Sequence, residues 1–539
     1  MKHRAGALLT GCLLVILTLG AGAPVTGQSV KNPDTFVTLR AGDIQSLDPA
    51  TAYDTGSEEI IYPNVYETLI GYDGSVLSSY VPRLATQVPN LANGLISKDG
   101  LTYTFPIRKG VKFHDGSTMT PEDVRYSMER FLTVKGNPGA YMLRAVDKVE
   151  VVDRYMIKFT LKEPFAWFLD MLANPISLPI VARECVEKFG DLKKAESVVG
   201  TGPWMLESYR QNAGLTLLRH PAYFRPGLPY IDRVEILVDE DNASRIATFL
   251  AGRYDLGWEF PGTINRTDWV QIKDTLQRRR PNLKTAEFVA NVETHISMRT
   301  DRAPFNDVRV RRAVSLAIDR QEMIDAVLEG AGVFNPAFPA ALKDWALPTN
   351  QLGDGARYFK HDPVEARRLL AAAGYPNGFP ASVCFATYGS TTLVDLAQLI
   401  LKDLKSVGID ARLDTKEYGA FIASCYFGQF DSMTYGPQTP FLEPDNFLYS
   451  MHYPGEQKNQ SHVDDPVVTD FLVRQRRTFD TAKRREIIAE IQRYLATQQY
   501  YVQVPSAVYV AVWDGALKNY GPNLGYDYGG RLMAAWLDR

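Results

Sequence analysis

Cysteine is nearly missing: the chain has four in 539 residues, and one of them, Cys12, falls in the amino-terminal apolar stretch. The other three, Cys185, Cys384 and Cys425, permit at most one internal disulfide. Cys384 and Cys425 fall in one expected domain, so their pairing is conceivable, whereas buried free thiols are the commoner outcome. There is no Cys-x-x-Cys, which removes a thiol redox motif and the usual structural zinc sites. Also missing are Gly-x-Ser-x-Gly, Ser-x-x-Lys and His-Glu-x-x-His, the marks of serine and zinc hydrolysis. Paired carboxylates for glycoside cleavage stay open, because Asp and Glu are plentiful. No Gly-x-x-x-x-Gly-Lys-Ser/Thr phosphate loop occurs, so the chain carries no nucleotide-driven motor of its own. Charge of one sign is lacking too: 59 Lys and Arg against 62 Asp and Glu leave a net −3 and no field for polyanions. The densest basic run, Arg278-Arg279-Arg280, is expected to be a solvated helix end before Pro281.

Long hydrophobic runs are absent after the amino terminus, which excludes a later helical membrane span of about 18 apolar residues. The first 27 residues form the pattern of an export signal: Lys2, His3 and Arg4, then an apolar stretch from Ala5 to Leu19. Pro24 disfavours cleavage after Ala23, and Val25-Thr26-Gly27 before Gln28 is the better site. Leu9-Thr10-Gly11-Cys12 resembles a lipobox, but most of the apolar run follows Cys12, so a lipid anchor there is not expected. The remaining chain is too long for one core, and at 45% apolar and 22% charged it has globular composition.

Strands and helices alternate along it. Phe36 to Arg40 and Thr102 to Ile107 are strands, with Lys112-Phe113 extended before the His114-Asp115-Gly116 turn. Val149 to Val152 and Tyr155 to Leu161 form a hairpin around Asp153-Arg154. Thr120, Pro121 and Asp123 start a helix through a capping box. Further helices start at Asp307, Asp319 and Asp362-Pro363, and others run from Leu393 to Val407 and from Thr481 to Thr497. Gly374 stops one helix and Gly408 another, the latter before a strand from Ile409 to Leu413. Strands joined through helices imply α/β lobes with covered sheets.

Several segments share order and spacing with one family. They are Ser46-Leu47-Asp48-Pro49-Ala50, Asn64 to Leu69, Asp99 to Phe105 and Arg108 to Gly116. Val199-Gly200-Thr201-Gly202-Pro203-Trp204, Asp307 to Ala313 and Glu443-Pro444-Asp445-Asn446-Phe447 complete the set. Over 400 residues this order resembles the extracytoplasmic solute-binding proteins of ABC importers, in the peptide/nickel-binding branch (family 5). The resemblance implies a two-lobed, hinged periplasmic-binding-protein fold of type II with an extra inserted domain. Residues 28–60, 196–288 and 503–539 would form the first lobe, 61–195 the insert and 289–502 the second lobe, with crossings near His295 and Val504.

It also implies a periplasmic or extracytoplasmic monomer that takes a solute in the inter-lobe cleft, uses no cofactor or metal, and hands the solute to permease subunits. An ATPase acts indirectly. Tyr53, Trp258, Glu259, Thr387, Tyr388, Tyr435, Gln438 and Phe441 are the expected cleft residues, the aromatics able to stack on a sugar ring or clamp a peptide. Peptide binders of the family hold a free amino terminus with an Asp shortly before Pro444-Asp445, where this chain has Gln438, Thr439 and Pro440. Dipeptide binders place an Arg where Thr387, Tyr388 and Gly389 stand. A zwitterionic dipeptide held in that way is therefore disfavoured. A longer peptide, an oligosaccharide or another organic solute stays open, with peptide-like cargo first. Asp445 and Asn446 are expected to cap a turn, His114 to be structural, and His452 and His462 to lie in a polar loop.

Overall fold

The computed structural model describes residues 34–52, 57, 60–73, 76–137, 139–257, 264, 266–289, 293–339, 342, 344–387, 390–438, 443–521 and 532–539. Among them two large mixed sheets organise two lobes. The first has seven strands, in the order Lys284–Val289, Val508–Trp513, Leu256–Gly257, Thr35–Arg40, Arg233–Val238, Gly214–Arg219 and Trp204–Arg210. Thr35–Arg40 lies parallel to both neighbours, and the other pairings are antiparallel. The second sheet runs Ile409–Thr415, Phe379–Phe385, Met433–Pro437, Thr294–Met298 and Tyr501–Gln503. A three-stranded antiparallel sheet (Thr102–Pro106, Met156–Leu161, Val146–Asp153) and the hairpin Ile70–Asp73/Val76–Pro82 lie in the segment between the first and later strands of the seven-stranded sheet.

Local chemistry explains the helices that cover these sheets. Pro121–Thr133 starts where the Asp123 carboxylate accepts from the Thr120 N–H at 2.8 Å and from its hydroxyl at 2.9 Å. Asp307, Asp319 and Asp362 each accept a first-turn N–H of Val308–Ala317, Arg320–Ala326 and Pro363–Ala372. Pro363–Ala372 ends before Gly374, whose φ of +96° suits glycine. Val310, Ala313, Val314 and Ala317 turn inward with Leu396 and Ile400 of Thr391–Ser406 to form the core of the second lobe. Lys112 and Phe113 form no strand; Lys112 makes a single bridge to Thr118. Arg280 departs from the expected solvated end. It pairs with Asp514 at 2.8 Å and lies 5.2 Å over the Phe249 ring, which ties the end of Arg266–Arg279 to the strand beside it.

Candidate functional site: the junction between the two sheets

The chain leaves the seven-stranded sheet after Val289 and enters the five-stranded sheet at Thr294; it returns between Gln503 and Val508. The two passages lie side by side, with the Val504 N–H donating to the Thr294 carbonyl at 3.1 Å. Strand alternation sends Ile296 and Met298 into the apolar core of the second lobe. On the other face stand Glu293, His295 and Ser297. Ser297 Oγ donates to Gln460 Oε1 at 2.7 Å, and Gln460 Nε2 donates to the Tyr426 carbonyl at 2.7 Å. Gln438 lies opposite Glu293: its N–H donates to the Glu293 carbonyl at 2.8 Å, and its amide is 3.4 Å from that of Gln460. His295 meets the Tyr501 ring edge-on at 4.8 Å, and Glu293 Oε1 is 3.9 Å from His295 Nδ1. The junction thus gathers an acid, an imidazole and amides in a buried corner.

A disulfide borders this corner. Cys384 and Cys425 are joined, with Cα atoms 6.4 Å apart, within bridging range. The expectation of free thiols holds only for Cys185, which is buried. The bond fastens the end of the strand Phe379–Phe385, just before Thr387, to the short helices Tyr418–Ala423 and Cys425–Phe427.

Of the cleft residues expected from sequence, Gln438 is in the corner and Thr387 is exposed just beyond the strand Phe379–Phe385. Tyr435 is placed otherwise: it is fully buried in the core of the second lobe, its ring stacked on Phe385 at 5.9 Å, and burial pushes its phenol pKa far up. Alternation is the reason, since Tyr435 points to the face opposite that of Gln438. Tyr53, Trp258, Glu259, Tyr388 and Phe441 lie outside the described residues. Sequence reasoning put a crossing near His295 but missed Glu293, His295 and Gln460 as site groups. The available signal was an acid at the head of a short apolar strand.

The conspicuous motifs have structural jobs. A side chain at Gly200 would meet the Val65 carbonyl at 1.9 Å, and one at Gly202 the Asn64 carbonyl at 2.4 Å, so both must be glycine for the backbones to touch. His114 Nε2 and His220 Nδ1 both meet the Gly202 carbonyl, at 3.1 and 3.2 Å. Burial and the neighbouring His220 hold His114 down at about 3, a neutral structural imidazole.

Asp445 and Asn446 do not cap a turn. Pro444 occupies the first helical position of Pro444–His452, which makes Glu443 the cap, its carboxylate accepting from the Asp445 N–H. Asp445 instead pairs with Arg476 at 2.7 Å. His452 sits in the last turn of that helix, not in a loop; its Nδ1 meets the Leu448 carbonyl at 3.0 Å and burial lowers it to about 4. His462 is held by the Gly428 carbonyl at 2.9 Å.

Glu443 belongs to a buried acidic group with Asp170 and Asp445, matched by Arg484 and Arg476. Asp170 accepts from the Tyr72 hydroxyl at 2.8 Å. Desolvation first, then the nearby Glu443 charge, raises its pKa well above the ordinary range. The folded carboxyl binds its proton more tightly than the unfolded one at about 3.9. Its contribution to stability is therefore complete below that value and is lost as pH rises toward the native pKa. The variant D170N, which keeps an acceptor for Tyr72, is expected to melt above the wild type at neutral pH. The gap should narrow by about 1.4 kcal/mol for each pH unit descended through that window. Melting curves from about pH 4 to 8 check this; a gap independent of pH would mean that Asp170 is ionised in the native state.

Comparison with known proteins agrees with this architecture. The family described as bacterial extracellular solute-binding proteins, family 5 Middle, matches residues 80–459. Glutathione-binding protein GsiB of Escherichia coli strain K12 is 27% identical over 509 residues, 91% of this chain and 90% of that protein. Periplasmic binding protein DppA from Helicobacter pylori, solved with the peptide STSA, superposes with a TM-score of 0.79 at 25% identity, covering 94% of this chain and 98% of that one. AgaA from A. tumefaciens R10, solved with agropinic acid, shares the fold at a TM-score of 0.80 and 24% identity, over 94% and 99% of the two chains. The chain belongs to the family 5 bacterial extracellular solute-binding proteins. It has their two-lobed α/β fold and is a solute-binding protein of an ABC import system.

Proposed function

We propose that this chain captures a peptide-like solute between its lobes and presents the closed form to permease subunits, with a separate ATPase supplying the energy. The observation that carries the reading is the pair of adjacent crossings at Glu293–Thr294 and Gln503–Val504. Two neighbouring strands make a hinge, because a few torsions absorb a rotation while each lobe stays packed. Residues 28–60, 196–288 and 503–539 would move as one lobe, carrying the insert 61–195, and 289–502 as the other. A solute drives closure by binding the closed form more tightly than the open one. Closure expels water, strengthens the polar contacts, and buries apolar surface at about 25 cal/mol per Å².

A relative named for glutathione and another solved with the peptide STSA support peptide-like cargo. Thr387 to Gly389 offers no cation for a ligand carboxylate, which favours a grip on the peptide backbone over a dipeptide held by its end charges. We further propose that residues 1–27 direct export, that the mature chain acts as an extracytoplasmic monomer, and that it alters no bond of its cargo.

Small-angle scattering with peptides of two to nine residues tests this. The radius of gyration is expected to fall with each peptide that calorimetry shows to bind. Binding without compaction, or peptide cleaved in the same tubes, contradicts the reading.

A further inference from the structure

Glu293 is 3% exposed, and among the described residues neither of its carboxylate oxygens has a hydrogen-bonding partner. The adjacent His295, 1% exposed, likewise has no partner at either ring nitrogen, and the 3.9 Å between Oε1 and Nδ1 is too long for a hydrogen bond. Other buried acids of the second lobe are matched. Glu443 pairs with Arg484, Asp445 with Arg476, and Asp403 accepts from the Asp319 N–H at 2.8 Å. A desolvated carboxylate without a donor is unfavourable, and a donor that arrives in function would complete this one.

Its placement says what arrives. Glu293 is the first described residue after the chain leaves the seven-stranded sheet, and its carbonyl is pinned by the Gln438 N–H at 2.8 Å. The register Thr294↔Pro437 sets Gln438 opposite it, and His295↔Gln503 brings a second amide to the same face. Acid, imidazole and amides therefore converge where both crossings meet. No third His, Cys, Asp or Glu joins Glu293 and His295 in a metal-binding group among the described residues.

We propose that Glu293 is the residue that selects a solute carrying a protonated amine, with His295 and Gln438 as its polar neighbours. The proposal rests on the solute-capture reading above. It narrows the cargo to amine-bearing solutes and explains a buried acid that meets no hydrogen-bond donor among the described residues.

The test uses the full mature chain and its E293Q variant, both checked for native circular dichroism. The probes are trialanine and N-acetyl-trialanine, and glucosamine and N-acetylglucosamine, titrated by calorimetry. Melting of each unliganded protein is a second readout. An amine probe that binds the wild type is expected to lose at least about thirtyfold in affinity on acetylation. The same loss should appear in E293Q, and E293Q should no longer discriminate the two forms. Unliganded E293Q is expected to melt above the wild type, because a buried carboxyl with no hydrogen-bond donor among the described residues has been replaced by an amide.

Equal binding of both members of a pair by the wild type, or unchanged affinity in E293Q, overturns the proposal. Binding of glucosamine but of no peptide would end the peptide-like reading and leave the amine assignment standing. Trialanine held regardless of acetylation would do the reverse. If no probe binds, an unliganded E293Q no more stable than the wild type overturns the assignment, and a more stable one supports it.

Discussion

The variant R484M is expected to lower the free energy of unfolding by about 3–5 kcal/mol, the range for breaking a buried ion pair from one side. Arg484, fully buried on the helix Thr481–Gln498, pairs with the Glu443 cap of Pro444–His452. Its Nε donates to Gln475 Oε1 at 3.0 Å on Pro466–Arg476, so one guanidinium joins three helices. The same group lies 4.0 Å over Trp167 and 5.0 Å over Trp345. Methionine restores much of the volume but leaves the Glu443 carboxylate buried without its cation.

Two companions separate the charge effect from packing. In R484M/E443Q the stranded charge is gone while an oxygen remains to cap the helix, so most of the loss should return. Burial is the leading cause that raises the Glu443 pKa; the R484M deficit should therefore shrink as pH falls and that carboxylate takes up a proton. Urea unfolding of the three proteins at neutral and mildly acidic pH reads all of this. A deficit that E443Q leaves untouched would locate Arg484's role in stacking on the tryptophans instead.

Local signals were the ones most fully legible in the sequence. Asp307, Asp319 and Asp362-Pro363 announced helix starts that the structure keeps, because a cap depends only on residues a few positions away. The Val149/Tyr155 hairpin was legible for the same reason. Where partners come from afar, the reading failed. Arg280 looked solvated until Asp514, 234 residues on, was placed beside it. Asp445 looked like a turn cap because Arg476 and the neighbouring helix were not visible. At the site, the aromatic chemistry of Tyr435 suggests a cleft residue, but only the register of Met433–Pro437 against Thr294–Met298 fixes which way it points. Alternation along the chain gives Glu293 and His295 their shared face, and the same register sets Gln438 beside them. An acid next to a crossing carries no local mark of being unsatisfied, since satisfaction is a property of everything around it.

Removing the Cys384–Cys425 bond, in the variant C384S/C425S, is expected to cost about 4 kcal/mol of stability, the chain-entropy value for a loop of this length. The bond closes 41 residues that include the helix Thr391–Ser406, the strand Ile409–Thr415 and the helix Tyr418–Ala423. Most of that segment is fixed by other means: Leu396, Ile400 and Leu404 are core residues, and Ile409–Thr415 pairs along its whole length with Phe379–Phe385. Tyr418–Ala423 and the turn after it are held less extensively, so the loss should be local as well as global. Hydrogen exchange of the amides from Phe421 to Gln429 is expected to accelerate in the variant, while those of Ile409–Thr415 keep their protection. The consequence for function follows from position. Tyr426 carries the carbonyl that receives Gln460 Nε2, and Gln460 in turn meets Ser297 and Gln438. Loosening that turn removes support from the amides around Glu293 and should weaken solute binding beyond what the stability loss alone explains. Unchanged exchange at Phe421 to Gln429 would show instead that packing alone orders the turn.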